Sequence, residues 1–144
     1  MSNNLSKKTQ LFVRERASGC CEYCMALSNY AFHPFSIDHI IAISKDGTND
    51  ADNLAWACFN CNGAKYNKVD CLDPLSNQIV SLYNPRQNTW SEHFVWNDSQ
   101  TIIIGITPIG RATVNCLKVN RQGAVNLREA LREFGVHPPK FNQN

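Results

Sequence analysis

The sequence predicts an α+β fold in which two strands and a short helix surround a metal site, followed by further strands and helices. Three features lead to this prediction: a length typical of one domain, two Cys-x2-Cys pairs, and apolar runs that change between strand-like and helix-like periods. The 144 residues are 43% hydrophobic and 18% charged, which is enough apolar material for a single core. We therefore expect one domain over residues 1–144, with a motif core at about 15–68 and an extension at about 74–140.

The first half of the chain is predicted to run helix, strand, strand, helix. Residues 5–18 have loosely periodic apolar positions and a basic surface, and Gly19 suits the end of that helix. The β-branched run at 35–43 indicates a strand, a turn and the start of a second strand. Residues 54–57 form a short apolar stretch, and 58–68 suit a short helix. The order after the first helix is thus β-β-α.

The second half of the chain is predicted to be a small antiparallel extension with two helices. The runs IVSLYN, HFVW and TIIIGI are strand-like and are separated by stretches rich in turn formers. Thr107 and Pro108 suit the N-cap and first position of a helix. A last helix is expected over about 125–134.

Cysteine usage points to a metal site. Seven cysteines in a chain without a secretion signal argue against a disulfide framework and for metal ligation with some free thiols. Four of them form two Cys-x2-Cys pairs: Cys21 with Cys24 and Cys58 with Cys61. This spacing lets both thiolates of a pair reach one tetrahedral zinc. Buried thiols are the alternative, although two matched pairs rarely arise by chance. Cys20 competes with Cys21 but has the wrong spacing, and Cys71 and Cys116 are expected to be core thiols.

Composition argues against a membrane-spanning or secreted protein. No segment approaches the roughly 18 apolar residues that span a bilayer, and the polar, basic start MSNNLSKKTQLF has no apolar run of signal-peptide length. We expect a cytoplasmic protein with no membrane partner. The formal net charge of +2 is too small to indicate a nucleic-acid partner by itself.

Between the cysteine pairs, Asp38 and His39 place an oxygen ligand for a hard cation beside an imidazole that can accept a proton from water. Taken alone, such a dipeptide is more often a solvated acid beside a packed histidine, but the surrounding zinc pairs favour hydrolysis. On the following helix, Asn62 lies about 100° round from Cys61 and can face the Asp38–His39 turn. Lys65 would lie on the same side, where it could either meet a phosphate or be merely solvated.

The order Cys-x2-Cys, Asp-His-Ile, Asn-Leu, Ala-Cys-x2-Cys-Asn and Lys resembles the HNH endonuclease family. The matching residues are Cys21, Cys24, Asp38, His39, Ile40, Asn53, Leu54, Ala57, Cys58, Cys61, Asn62 and Lys65. The resemblance covers about residues 15–68 and implies a ββα-metal core. Less specific stretches, LYNPRQNTWSEHFVW and TPIGRATVNCLKVNR, look like the C-terminal region of stand-alone bacterial HNH proteins.

The resemblance implies His39 as general base, Asp38 and Asn62 as ligands of a catalytic divalent metal, and Asn53 as the residue that fixes the loop carrying His39. Asn62 stands where many members have His, a replacement also familiar in the family, and its amide oxygen favours Mg²⁺ or Mn²⁺. The four cysteines would hold a structural zinc with no open position. The expected activity is hydrolysis of a phosphodiester bond in double-stranded DNA, with one metal and one base.

Other residues are weaker candidates. His93 could approach the active site, but a histidine beside aromatic neighbours is more often packed, so we leave it out of the catalytic set. Four aromatics could stack on bases, although core positions are commoner for them: Trp56, Trp90, Phe94 and Trp96. Basic residues of the first helix and of the C-terminal end could contact phosphates, with solvated surface charge as the commoner interpretation: Lys7, Lys8, Arg14, Arg16, Arg111, Lys118, Arg121, Arg128 and Arg132.

Two other functions compete with a DNA endonuclease. A non-catalytic zinc-ribbon module that binds nucleic acid or protein would need none of Asp38, His39 and Asn62, so their joint presence favours the enzyme. A homing or restriction nuclease with its own recognition module is disfavoured because little chain remains for one. The sequence indicates neither sequence specificity nor an oligomeric state.

Overall fold

Short antiparallel strand pairs alternate with helices along the chain, which confirms the predicted α+β class. The computed structural model describes residues 5–140; the first four residues of the polar start, which entered the expectation about targeting, lie outside this range. The chain divides between Val69 and Asp70 into two units, and each is described by itself. One domain over residues 1–144 stays a prediction. Within the described range no helix is long and apolar enough to cross a bilayer.

The first helix, α1 (Lys7–Arg16), confirms the prediction for the start of the chain. Ser6 caps it, because the Ser6 side chain accepts a hydrogen bond from the backbone N–H three residues later. Arg16, at its end, donates to the backbone oxygens of Ala51 and Leu54 at 2.9 and 2.7 Å. This guanidinium therefore ties α1 to the motif core and is not an unpaired surface charge.

Two strands form the hairpin of the motif core: β1 (Ser36–His39) and β2 (Leu54–Ala57), paired antiparallel with His39 opposite Leu54. The second strand predicted to begin within 35–43 is wrong. After His39 the chain enters a loop in which Gly47 lies so close to the backbone of Ile41 that a Cβ would be 1.6 Å from the Ile41 oxygen. Three short 3-10 turns complete this unit: Ser28–Tyr30, Ile43–Lys45 and Ala51–Asn53.

Helix α2 (Phe59–Lys65) follows β2 and confirms the β-β-α order. It lies alongside β1, since the Asn62 side chain bonds to Ser36 and the Lys65 side chain bonds to Asp38. The two elements run in the same direction, because later residues of α2 contact later residues of β1. A seam of polar side chains therefore lies between β1 and α2.

The second unit contains the strands and helices of the predicted extension. Its elements are β3 (Asp70–Asp73), β4 (Gln78–Ser81), α3 (Trp90–His93), β5 (Phe94–Trp96), β6 (Ile103–Gly105), α4 (Pro108–Leu117) and α5 (Gln122–Glu133). β3 pairs with β4 and β5 with β6, both antiparallel. The Thr107 cap of α4 is confirmed, because its side chain accepts from the Gly110 N–H. Strand β3 and the short helix α3 were not predicted.

Two of the basic candidates in this unit have partners within the unit, so they are not the unpaired surface charges of the commoner interpretation. Arg111 makes a bidentate pair with the buried carboxylate of Asp73, with both N–O distances 2.9 Å, and this pair holds the pKa of Asp73 below its usual range. Arg128 is buried and donates to the backbone oxygens of Thr101 and Val119. The other three basic candidates of this unit are exposed: Lys118, Arg121 and Arg132.

The aromatic residues of the second unit mostly form core. Trp90 and Phe94 are 3% and 2% exposed, with ring centroids 5.0 Å apart. His93 Nδ1 lies 2.6 Å from Thr107 Oγ1 and its ring packs edge-on against Tyr83, which supports the packed interpretation of this histidine. Trp96, the remaining stacking candidate of this unit, is half-buried, and so is Trp56 of the first unit.

Candidate active site and cysteine cluster

The structure brings together the four cysteines predicted as zinc ligands. Cys21, Cys24, Cys58 and Cys61 are all buried, and their Sγ atoms lie within 4.8 Å of one another. Cys24 Sγ is 3.7 Å from Cys58 Sγ, and two sulfurs bound to one tetrahedral zinc at about 2.3 Å would be about 3.8 Å apart. The cluster is therefore compatible with a zinc site, and its all-sulfur donor set is that of a structural zinc.

Local backbone geometry positions each pair. Cys21 heads a tight turn in which its oxygen accepts from Met25 N–H and its N–H donates to the Ala26 oxygen, with Met25 in the left-handed region at φ 66°. Cys58 is the N-cap of α2, and its Sγ accepts from the Cys61 N–H at 3.3 Å. The turn thus directs the sulfurs of Cys21 and Cys24, and the start of α2 those of Cys58 and Cys61, toward one centre.

The cysteine thiols of the cluster shift one another's pKa values. Hydrogen bonds from the Cys21, Cys24 and Cys61 sulfurs lower the pKa of Cys58. Burial raises the pKa of Cys21, and hydrogen bonding with Cys21 raises that of Cys61. Because cysteine ligands bind a metal as thiolates, a divalent metal would displace protons from this cluster on binding.

The remaining cysteines lie outside the cluster. Cys20 is buried, burial raises the pKa of its thiol to about 11, and its backbone bridges to Leu27, so the geometry agrees with the choice of Cys21 over Cys20. Cys71 and Cys116 are only half-buried. Their predicted place in the core is therefore wrong.

Asp38 is buried in the seam between β1 and α2, with 3% of its surface exposed. The Tyr23 hydroxyl donates to its Oδ2 at 2.7 Å, and Lys65 Nζ lies 3.1 Å from Oδ2 and 3.3 Å from Oδ1. Burial raises the pKa of Asp38, and the charge of Lys65 and the Tyr23 hydrogen bond oppose that rise. The carboxylate is therefore held in one orientation by two buried donors.

Lys65 is 1% exposed, so both predicted interpretations of it, a solvated lysine and a phosphate contact, are wrong. Besides Asp38, its ammonium donates to the backbone oxygens of His39 and Ile40 at 3.2 and 3.0 Å. These three partners are consecutive residues at the end of β1. Lys65 thus fixes the backbone around the Asp38–His39 dipeptide through hydrogen bonds.

His39 is the last residue of β1, and Asn53 lies at the end of the loop that follows β1. His39 Nε2 lies 2.8 Å from Asn49 Oδ1; an amide oxygen only accepts, so Nε2 carries the ring proton in this arrangement and Nδ1 is left to accept one. The Asn53 oxygen accepts from Ile41 N–H, and its amide group donates to the oxygens of Ile41 and Thr48. One side chain therefore clamps two separate points of this loop.

Asn62 contributes an oxygen to the seam. Its amide group donates to Ser36 Oγ at 2.7 Å, and no group within residues 5–140 donates a hydrogen bond to its Oδ1. Side chains alternate along a strand, so Ser36 and Asp38 share the face of β1 toward α2, and His39 belongs to the opposite face. The structure thus brings Asp38 and Asn62 to one seam and leaves His39 at its end, on the loop side.

A comparison with protein-family models matched residues 21–68 to the family described as HNH endonuclease. The matched stretch begins at the first cysteine of the cluster and includes β1, β2 and α2. This chain contains an HNH domain. Such a domain indicates nuclease activity on nucleic acids. No curated protein and no solved structure matched the chain.

The HNH domain holds three residues that sequence reasoning missed. Tyr23 lies between the first two cysteines and donates to Asp38. Glu22 exchanges two hydrogen bonds with Trp56, its N–H donating to the Trp56 oxygen and its Oε2 accepting from the Trp56 N–H, so it fastens the first cysteine turn to β2. Asn49 contacts the His39 ring. Tyr and Glu between two ligands, and Asn in a polar loop, carry no pattern that would have singled them out.

Proposed function

We propose that this protein is a metal-dependent endonuclease that hydrolyses phosphodiester bonds of double-stranded DNA. The observation that supports the proposal is the seam between β1 and α2 within the HNH domain, which holds Asp38 and Asn62 and ends at His39 on its loop side. The protein would act in the cytoplasm, where reducing conditions keep cysteines available for a metal.

The donor set of the seam fits a hard divalent cation. Asp38 offers a carboxylate, whose two oxygens have about four lone-pair sites and so can bind a cation beside the bonds from Tyr23 and Lys65. Asn62 offers Oδ1 because its amide group is engaged by Ser36. Oxygen donors of this kind suit Mg²⁺ or Mn²⁺. Two protein ligands leave positions for water and for a substrate phosphate, as is usual for magnesium. Such an ion supplies charge stabilisation on the phosphate.

Side chains of the protein supply the general base and fix its position. His39 Nδ1 takes a proton from a water molecule, whose oxygen attacks phosphorus in line as the bond from phosphorus to the 3′ oxygen breaks. The departing 3′ oxygen takes up a proton from solvent water. Asn49 fixes the His39 ring, and Asn53 fixes the loop that carries it. Lys65 keeps Asp38 and the His39 backbone in place.

The cysteine cluster would hold one structural zinc. With four sulfur ligands it would have no open position for water, so it would take no part in hydrolysis. Its role would be to join the turn at Cys21 to the start of α2 at Cys58, on which the position of Asn62 depends. Two metals would thus have separate tasks.

The test is cleavage of supercoiled plasmid by the full chain in Mg²⁺, in Mn²⁺ and with neither added, followed on gels. His39→Ala should lower the rate about 10²-fold to 10⁴-fold, since general-base catalysis contributes that much, while zinc content and circular dichroism stay unchanged. Asp38→Asn and Asn62→Ala should raise the Mg²⁺ concentration needed for cleavage. Asn60→Ala, an exposed asparagine of the same helix, is the matched control.

A further substitution at Asn62 replaces one metal-binding side chain with another. Asn62→His restores the commoner residue of the family and should retain cleavage with a shifted metal preference. Parental rates for His39→Ala and Asn62→Ala in low Mg²⁺ would refute the assignment. Absence of cleavage by the parent under every metal condition, together with retained DNA binding, would favour the zinc-ribbon binding module.

A further inference from the structure

Three neighbouring aromatic side chains are exposed on the first unit and belong to no core. Phe32 is 95% exposed and Phe59 is 56% exposed. The His33 ring stacks on the Phe59 ring at 4.4 Å with an interplanar angle of 29°, and Phe32 meets His33 edge-on at 5.1 Å. We call Phe32, His33 and Phe59 the aromatic platform.

The platform continues the seam that holds the proposed metal ligands. Phe59 precedes Asn62 by three residues on α2, which places it about 4.5 Å along the helix axis and on a neighbouring side. His33 precedes Ser36 by three residues, and Ser36 is the partner of Asn62. Residues 33–36 therefore contact α2 in sequence order: His33 contacts Phe59, and Ser36 then contacts Asn62.

We propose that the aromatic platform stacks an unpaired nucleobase of the DNA strand whose phosphate enters the seam. This inference rests on the proposed function and adds a substrate class to it: strands with an unpaired nucleotide beside the scissile bond. Phe59 and Asn62 are less than one helical turn apart, about 4.5 Å along the axis of α2. A base on the platform would thus belong to a nucleotide close to the phosphate that enters the seam.

The chemistry of the platform favours a base over other occupants. Phe32 and Phe59 offer exposed apolar ring surface, and stacking on such rings tolerates every base because each base has a π-face. A fully paired duplex keeps its bases stacked inside the helix, so its bases reach the platform only after unstacking, which costs a few kcal/mol. Stacking therefore selects single strands and duplexes with an unpaired nucleotide.

The experiment measures binding of the full, zinc-loaded chain to short DNA in buffer without added Mg²⁺ or Mn²⁺, so that no cleavage is needed. Four probes are compared: a single strand carrying one 2-aminopurine, its perfect duplex, a duplex with the 2-aminopurine as an unpaired bulge, and the same bulge with an abasic site. Anisotropy gives the affinity, and quenching of 2-aminopurine fluorescence reports stacking.

The single strand and the bulged duplex should bind at least about tenfold more tightly than the perfect duplex, with quenching, and the abasic bulge should lose that gain. Phe32→Ala and Phe59→Ala should each weaken binding of the bulge roughly five-fold to 100-fold and leave the perfect duplex unchanged. Phe134→Ala, which removes an equally bare aromatic ring that is 76% exposed on the second unit, is the matched control and should have no effect. Zinc content checks that each variant is folded.

Equal affinity for the bulged and perfect duplexes, or unchanged binding by both platform variants, would overturn the inference. Concentration-dependent self-association of the parent that Phe32→Ala abolishes, without an effect on DNA, would also overturn it and make the platform a contact between copies. Plasmid cleavage in Mg²⁺ is scored separately. Cleavage without preference for unpaired bases refutes only the platform, and preference without cleavage refutes only the nuclease.

Discussion

Replacing Lys65 by methionine would leave the Asp38 carboxylate buried without its cation. The pair is 1% and 3% exposed, so solvent does not screen it. Methionine keeps an unbranched apolar stem, which limits any cavity, and the loss is confined to the ammonium and its bonds to Asp38, His39 and Ile40. Stability should therefore fall for an electrostatic reason.

The magnitude follows from these contacts. Removing one partner of a buried pair costs about 3–5 kcal/mol, and the Tyr23 hydroxyl, which still donates to Asp38 at 2.7 Å, places the expected loss near the lower value, about 3 kcal/mol. Because Lys65 lowers the pKa of Asp38 and burial raises it, that pKa should rise further in the variant. The loss should therefore be largest at high pH and shrink as pH falls and the carboxyl takes up a proton.

Urea unfolding at pH 8 and pH 5, in a fixed excess of free zinc, measures the free energy of unfolding. Lys68→Met is the matched control, since Lys68 is exposed and such changes usually stay within about 0.5 kcal/mol. Asp38→Asn combined with Lys65→Met should cost less than the two single changes added, by about 1 kcal/mol or more. Equal stability of the Lys65 and Lys68 variants at pH 8 would refute the reasoning.

Three further predictions concern other parts of the chain. Cys61→Ser should lower zinc well below one per chain by elemental analysis and unfold the first unit, because structural zinc contributes about 10–16 kcal/mol in finger peptides; a full zinc content would contradict this. Gly47→Ala should destabilise the protein by about 1–3 kcal/mol in urea, since its Cβ would overlap the Ile41 oxygen, and parental stability would show that the loop relaxes freely. Burial lowers the pKa of His137, whose Nε2 bonds to the Gln100 oxygen, so its contribution to stability is present above about pH 6.5 and lost as pH falls through the folded pKa. The fall in melting temperature from pH 7.5 to 5.5 should shrink in His137→Gln, and an unchanged fall would exclude this histidine as its source.

Much of the candidate site could be predicted because its residues are close in sequence or have fixed spacing. Two cysteines separated by two residues face one point whether they lie in a turn or at a helix start, so the cluster followed from spacing. The cap at Thr107 followed in the same way from local chemistry. The second strand was misplaced because an apolar run at 40–43 reads equally as strand or as loop, and the close approach of Gly47 to Ile41 decides between them.

By itself, the sequence determined the α+β class, the β-β-α order, the four clustered cysteines and the candidate residues Asp38, His39 and Asn62. These depend on periodicity, spacing and residue chemistry, which are local properties of a chain. Only the tertiary structure decided what Lys65 does. A lysine on a short helix is normally solvated, and this one is buried because oxygen acceptors of Asp38, His39 and Ile40 converge on its ammonium. Burial of a charge depends on partners distant in sequence, and so it becomes visible only when the strand and the helix are folded together.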